Sequence, residues 1–533
     1  MLTRSFPTAM ARLLAACVFV FLWGISLLPA QQAAAPAQAQ TAPATAAGSF
    51  HEELFAEIPS GNQFEVWSSD GEGHHVAWIE KKGGNWTVKL DGKQQGGQFD
   101  WVEFLRLSPD GAHLHFFGKR KGKWIHVLDG NETSPGYEIP TTVSLQPGGN
   151  SYAYGGCEVK KKCHLVVDGK ALPEEYEQIS FPKYSSDGKR LAYFGLRHKK
   201  WIAIVDGKET GPELEDFASR FWGFSSHTGR FYAAVSQGHF KWTYFVDDAP
   251  GQEFDVMSPI VFSKDDKHYA YAGTGVQGGF KKQRTHGTIV LDGQSGTSYE
   301  GSGLPGSWTM LLGAPTDAAA IGPRNLDPNF HGVSNPWFNS EGKVAYAARG
   351  DKGDVYVTDG KRDGPPFDNI VSGIVFSDDS AHFAYVGRRG SDFVEVRDNK
   401  PGKTFPIDAR LGWVDWIVLA KDGSRVAYQL VRGGGQFMVG GTMKARRTVV
   451  LDGEPGKEYN AEGVSSLLFT PDHRHFTYPV IRIEGKKDLV VVDGAESKSY
   501  DDVDGLTYNA DHTAVTFFAR DSSRILRVTY ALQ

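Results

Sequence analysis

Four groups of residues in this 533-residue chain have types and spacings that could do chemistry. His113, His268, His382 and His475 recur at one place in a repeated turn, and Arg190, Arg230 and Arg425 fill that place elsewhere. Histidines in register could offer metal ligands or proton carriers. A cation three residues after a turn aspartate, repeated turn by turn, is better explained as a local pair that pins the turn. The pairs His74-His75 and His473/His475 have no clear third ligand nearby. A second group is formed by two glycine-rich inserts, 273–287 and 431–447. The first carries Phe280, Lys281, Lys282, Arg284 and His286, and the second Phe437, Lys444, Arg446 and Arg447. An aromatic beside a basic cluster on a long loop could bind an acidic partner, so these nine are the candidate binding residues; the alternative is a long hairpin that tolerates any polar sequence and has no role. Third, Cys157 and Cys163 flank the polar turn Lys160-Lys161-Lys162. An oxidising compartment would make them a disulfide across a hairpin, with two free thiols as the alternative. Finally, the many Asp-Gly pairs lack the spaced acids and distal glutamate of a calcium loop, and no Gly-x-Ser-x-Gly elbow occurs. No catalytic residue, metal or cofactor is therefore expected.

The elements that position these groups repeat. A turn of the Ser-Pro-Asp-Gly type recurs at 68–71, 108–111, 185–188, 263–266, 377–380, 420–423 and 470–473, with weaker copies between. Successive third positions, from Asp70 and Asp110 to Asp472 and Asp511, are 38 to 50 residues apart, except for one interval of 76. That doubled interval suggests an eroded unit near 300–335 and about twelve units in all. Half a period later comes an aliphatic run ending in Asp-Gly, as in Val-Leu-Asp-Gly at 127–130. Asp-Gly is the preferred pair of a type I′ hairpin, because both residues tolerate positive φ. An aromatic follows about seven residues on: Phe99, Tyr137, Tyr176, Tyr299, Phe367, Tyr459 or Tyr500. Between these markers lie four short strands, for example FLRL, HLHFFG, WIHVLDG and YEIP in 104–140. The fold class is therefore all-β, a β-propeller of about twelve four-stranded blades. Apolar residues at consecutive positions, as in LAYFG at 191–195, fit strands covered on both faces.

The segments SSDGKRLAY at 185–193 and AKDGSRVAY at 420–428 resemble the repeat of bacterial TolB-type propellers, relatives of WD-repeat blades. The resemblance covers nearly everything from residue 60 onward. It implies the fold and not the partner, because the same blade serves many partners. Twelve units exceed one ordinary ring, so two six-bladed propellers are expected, 50–297 and 298–533, with a single large ring as the alternative. The last unit ends without a fourth strand, and EELFAEI at 52–58 could supply it.

Composition sets the compartment and excludes some partners. Arg4 and Arg12 precede an apolar run from Leu13 to Leu28, which reads as a signal peptide over 1–30. Residues 31–49 are an uncharged Ala/Gln/Pro linker that cannot build a core. Cys17 sits in a lipobox-like stretch but precedes most of the apolar run. A periplasmic or secreted location follows, with N-terminal membrane anchoring as the alternative and the only membrane contact. A net charge of −6 with 23% charged residues offers no field for nucleic acid. The expected function is an exported, non-enzymatic scaffold that binds a protein or peptide at the cell envelope. The alternative is an extracellular propeller enzyme, a lyase or hydrolase acting on polysaccharide.

Overall fold

The computed structural model describes residues 48–532 except 71–72, 109, 134–136, 138, 141–142, 148–150, 159–161, 239–240, 279–283, 304–325, 327, 361–362, 407–411, 433–444, 465, 484–486 and 510. The expected signal peptide and linker lie outside these residues, save for 48 and 49. Ala46–Gln533 is one compact unit. Its described residues form eleven antiparallel sheets. Among the described residues one helical turn, Pro328–His331, is the helix present, and no described helix is long and apolar enough to cross a membrane.

Within a blade the strands pair in chain order, A innermost to D outermost. Blade 2 shows why. Leu114–Arg120 is strand B, and its adjacent Phe116 and Phe117 are both fully buried. Successive side chains of a strand point to opposite faces. Phe116 accordingly packs in a cluster shared with blade 1, and Phe117 in one shared with blade 3. Every blade is wedged in this way, so the core is eleven separate apolar clusters, one between each neighbouring pair. The Asp-Gly pairs make the expected turns: Asp91 and Gly92 have φ of 49° and 80°, and Asp129 and Gly130 repeat them.

Two expectations about the ring fail. The propeller is one ring of eleven blades, not two rings of about six. The interval of 76 residues holds an insertion rather than a lost blade. Blade 6 packs directly on blade 7, with Val256 and Ile289 in one cluster with Val333 and Ala348. Tyr299 and Tyr346 share a hydroxyl contact of 3.1 Å across that interface. Residue 297 therefore marks no domain boundary. The strand assignment of unit 2 also shifts: Asn131–Thr133 is its outer strand, and Ile139–Pro140 of the expected YEIP strand opens blade 3. Among the described residues blade 7 has three strands.

The ring closes as expected. Phe50–Glu57 pairs antiparallel with Arg524–Ala531 and becomes the fourth strand of blade 11. Ile58, Val76 and Trp78 then pack on Phe518 and Ile525, joining the last blade to the first.

Candidate functional site

Strand direction alternates within a blade, so the A–B and C–D turns share one face of the ring. The B–C hairpins and the D–A connections share the other. The first face is stapled shut. In most blades the aspartate of the C–D turn accepts at Oδ1 the backbone N–H that opens strand B, as Asp129 does from Leu114 at 2.8 Å. Its Oδ2 takes the cation of the A–B turn: His75 to Asp91 at 2.6 Å, His113 to Asp129 at 2.8 Å, His268 to Asp292 at 2.7 Å, His382 to Asp398 at 2.9 Å and His475 to Asp493 at 2.7 Å. Arginines do the same and then reach onward. Arg190 meets Asp206 at 2.9 Å and donates to the Gly229 carbonyl of the next blade at 2.7 Å. Arg230 and Arg425 repeat this toward blades 6 and 10. The histidine and arginine column is thus a set of turn staples, and its partner is the aspartate of the Asp-Gly turn. Asp110 of the Ser-Pro-Asp-Gly turn bonds locally instead: the Ser108 hydroxyl beside it lowers its pKa.

Both inserts spring from B–C hairpins on the opposite face, in blades 6 and 9. Phe280, Lys281, Lys282, Phe437 and Lys444 lie outside the described residues. Arg284 is exposed and faces Glu300 at 3.5 Å. His286 is half-buried, opposite Gly275 and Glu300 in the sheet. Arg446 is exposed beside Glu458 at 3.6 Å. Arg447 is drawn into the sheet, donating to Gln429 Oε1 at 2.6 Å and the Ala461 carbonyl at 3.2 Å, and burial lowers its pKa. A cation at the base of strand C with a carboxylate from the same edge is a general feature of this fold: Lys200 with Glu215, Lys241 with Asp255 at 2.7 Å, Lys487 with Asp501. The bases of the inserts follow that rule. Cys157 and Cys163 lie directly opposite each other at the base of the blade 3 hairpin and are disulfide-bonded.

Sequence reasoning missed an aromatic pair on this face. Trp101, which opens strand A of blade 2, is 45% exposed, and its ring lies 4.5 Å from that of Trp86 in blade 1. Its indole N–H donates to Glu103 at 2.8 Å, and Lys81 stands over the Trp86 ring at 5.1 Å. Trp86 belongs to a legible column, with Trp124, Trp201 and Trp242 at the start of strand C in blades 2, 4 and 5. The exposure of Trp101 had no such signal.

Two polar intrusions lie inside the ring wall. His115 and His126, buried between blades 2 and 3, approach to 3.4 Å (Nδ1 to Nε2) beside Tyr152. They stand where other blades carry Ala77, Ala192 and Ala384, and Val88, Leu165 and Val449. Burial pushes their pKa values down, to about 3 for His115 and about 4 for His126. Between blades 8 and 9 an open groove of about 510 Å³ is lined by Glu395, Arg397, Lys400 and Asp452. Its charges close on one another, with Arg397 bridging Glu395 at 2.9 Å and Asp452 at 3.2 Å. Among the described residues no three His, Cys, Asp or Glu side chains are grouped to hold a metal ion.

No protein-family model and no curated protein matches the chain. Solved structures do. A eukaryotic initiation factor is 11% identical with a TM-score of 0.32, covering 82% of this chain and 88% of that one. The Dos1 propeller is 11% identical with a TM-score of 0.29, covering 73% and 92%. A TolB-like protein of Agrobacterium tumefaciens is 13% identical with a TM-score of 0.23, covering 36% and 82%. At such identities and TM-scores the likeness assigns this chain no activity, substrate or partner.

Proposed function

We propose that this protein is an exported propeller scaffold that binds a protein or peptide partner on its B–C hairpin face. The observation that carries the reading is the contrast between the two faces. On the A–B face the same staple recurs around the ring, and its aspartates are spent on turns and neighbouring blades. On the B–C face the hairpins vary in length, both long inserts emerge, and Trp101 stands exposed on Trp86. Loops that vary on a rigid scaffold are where repeat proteins recognise their partners. The TolB-like repeat, the apolar N-terminal stretch and the Cys157–Cys163 bond support a place in the cell envelope or outside it.

Reversing the charges of Lys281, Lys282, Lys444 and Arg446 together tests the reading. Arg447 is left intact because it holds Gln429 and Ala461. Capture of the partner from envelope extracts should be lost while the melting temperature stays the same. Undiminished capture would refute a role for the inserts.

A further inference from the structure

The geometry points to blades 1 and 2 as a docking surface for an acidic peptide segment that carries an apolar side chain; this rests on the binding role proposed above and specifies the partner's chemistry. The patch is contiguous. The Asp100 carboxylate, next to Trp101 in the chain, accepts the backbone N–H of Lys121 at 2.7 Å and so fixes the blade 2 hairpin beside the tryptophan pair. Lys81 lies over Trp86, and Lys82 follows it at the tip of the blade 1 hairpin. Lys82, Lys121 and Lys123 are exposed, and among the described residues none has an ion pair. This differs from the hairpins of blades 3, 4, 5 and 10, where Lys162, Lys200, Lys241 and Lys487 each have a carboxylate.

The groups left for a ligand are therefore three ammonium ions and an indole face. The carboxylates that could have bonded sugar hydroxyls are already engaged: Asp100 by Lys121, and Glu103 by the Trp101 indole. Such a surface recognises carboxylates together with an apolar group, and exposed tryptophans are the residues that most often anchor such contacts. A peptide of alternating acidic and apolar character offers both in one strand. Its negative charge complements the lysines, which would speed encounter and make binding salt-dependent.

Fluorescence anisotropy of a labelled random Glu/Tyr copolymer on the purified chain tests this, with polyglutamate and polygalacturonate as comparison probes. The copolymer should bind more tightly than either. Trp101→Ala should weaken it about tenfold, and Trp101→Phe should retain most of the affinity. Lys121→Glu with Lys123→Glu should also weaken it about tenfold, a difference that shrinks in about 0.5 M salt. Melting temperatures equal to the parent's keep these losses separate from misfolding. The proposal fails if the copolymer does not bind, if the variants leave binding unchanged, or if polygalacturonate binds as tightly with the same dependence. Polyglutamate binding equal to that of the copolymer refutes the apolar anchor. None of these failures bears on the inserts of blades 6 and 9, whose charge-reversal test stands apart.

Discussion

Acid should loosen the ring at the interface of blades 2 and 3. His115 and His126 are held neutral in the folded protein, because burial between blades 2 and 3 penalises the charged imidazolium and a charge on His126 would repel one on His115. His113 works in the same direction on His115, and Asp129 opposes it without prevailing. In the unfolded chain both rings protonate near pH 6.5. A base whose pKa is depressed on folding binds more protons when unfolded, so its contribution to stability is complete above pH 6.5 and is lost as the pH falls toward about 3 to 4. With two protons at stake the slope reaches about 2.7 kcal/mol per pH unit, and the loss from pH 7.5 to 4.5 is about 5 kcal/mol. His115→Ala with His126→Val, the residue types other blades use at these places, should remove that dependence. Urea unfolding of both proteins at several pH values in this window is the assay. His331, also pushed down to about 4 by burial, contributes equally to both and cancels in the difference. Identical pH dependence of parent and variant would refute the reasoning.

Three further outcomes are expected. Gly118→Ala places a Cβ 2.1 Å from the Phe99 ring of the preceding blade. It should cost about 3 kcal/mol by thermal unfolding, and less in a Phe99→Leu background, where the two sites couple. Arg230→Ala removes the 2.5 Å contact to Asp247 and the bonds to the Asp266 and Lys267 carbonyls. A loss of about 1 to 2 kcal/mol is expected after allowing for solvent screening, read as a lowered melting temperature. Deleting residues 48–57 exposes the edge of Arg524–Ala531 and strips Tyr500 of its 2.7 Å bond to Glu52. Size-exclusion chromatography should then show oligomers or aggregates in place of the parent species.

What the sequence made legible was the blade, because its parts lie within about 40 residues of one another. The type I′ turns, the closing strand over 52–58 and the pinning role of the histidine and arginine column all follow from residue types at short range. The ring did not follow, because closure is a property of how neighbouring wedges pack and not of any one repeat. An insertion between blades 6 and 7 and a missing blade lengthen the interval by the same amount, and only the packing of the two blades, Tyr299 on Tyr346 included, tells them apart. The first turn misled in a smaller way. By its match to SSDG, Asp70 aligns with Asp110, whereas its backbone bond to His75 makes it the equivalent of Ser108, which bonds to His113. Exposure was similarly hidden: Trp86 and Trp101 are alike in sequence, and one is 7% and the other 45% exposed.

The strand that closes the ring also sets the order in which the protein can be made. Leu54 is synthesised long before its partner Leu526, with ten whole blades between them. At ordinary elongation rates the two are separated by roughly 25 to 95 seconds. Through that interval blade 1 has one neighbour instead of two, and Phe50–Glu57 waits as an unpaired edge with an apolar residue on it. A chain cut short anywhere before blade 11 cannot close at all. Closure thus waits for blade 11, and a copy in which that blade has not yet formed carries a sticky strand that a closed ring does not.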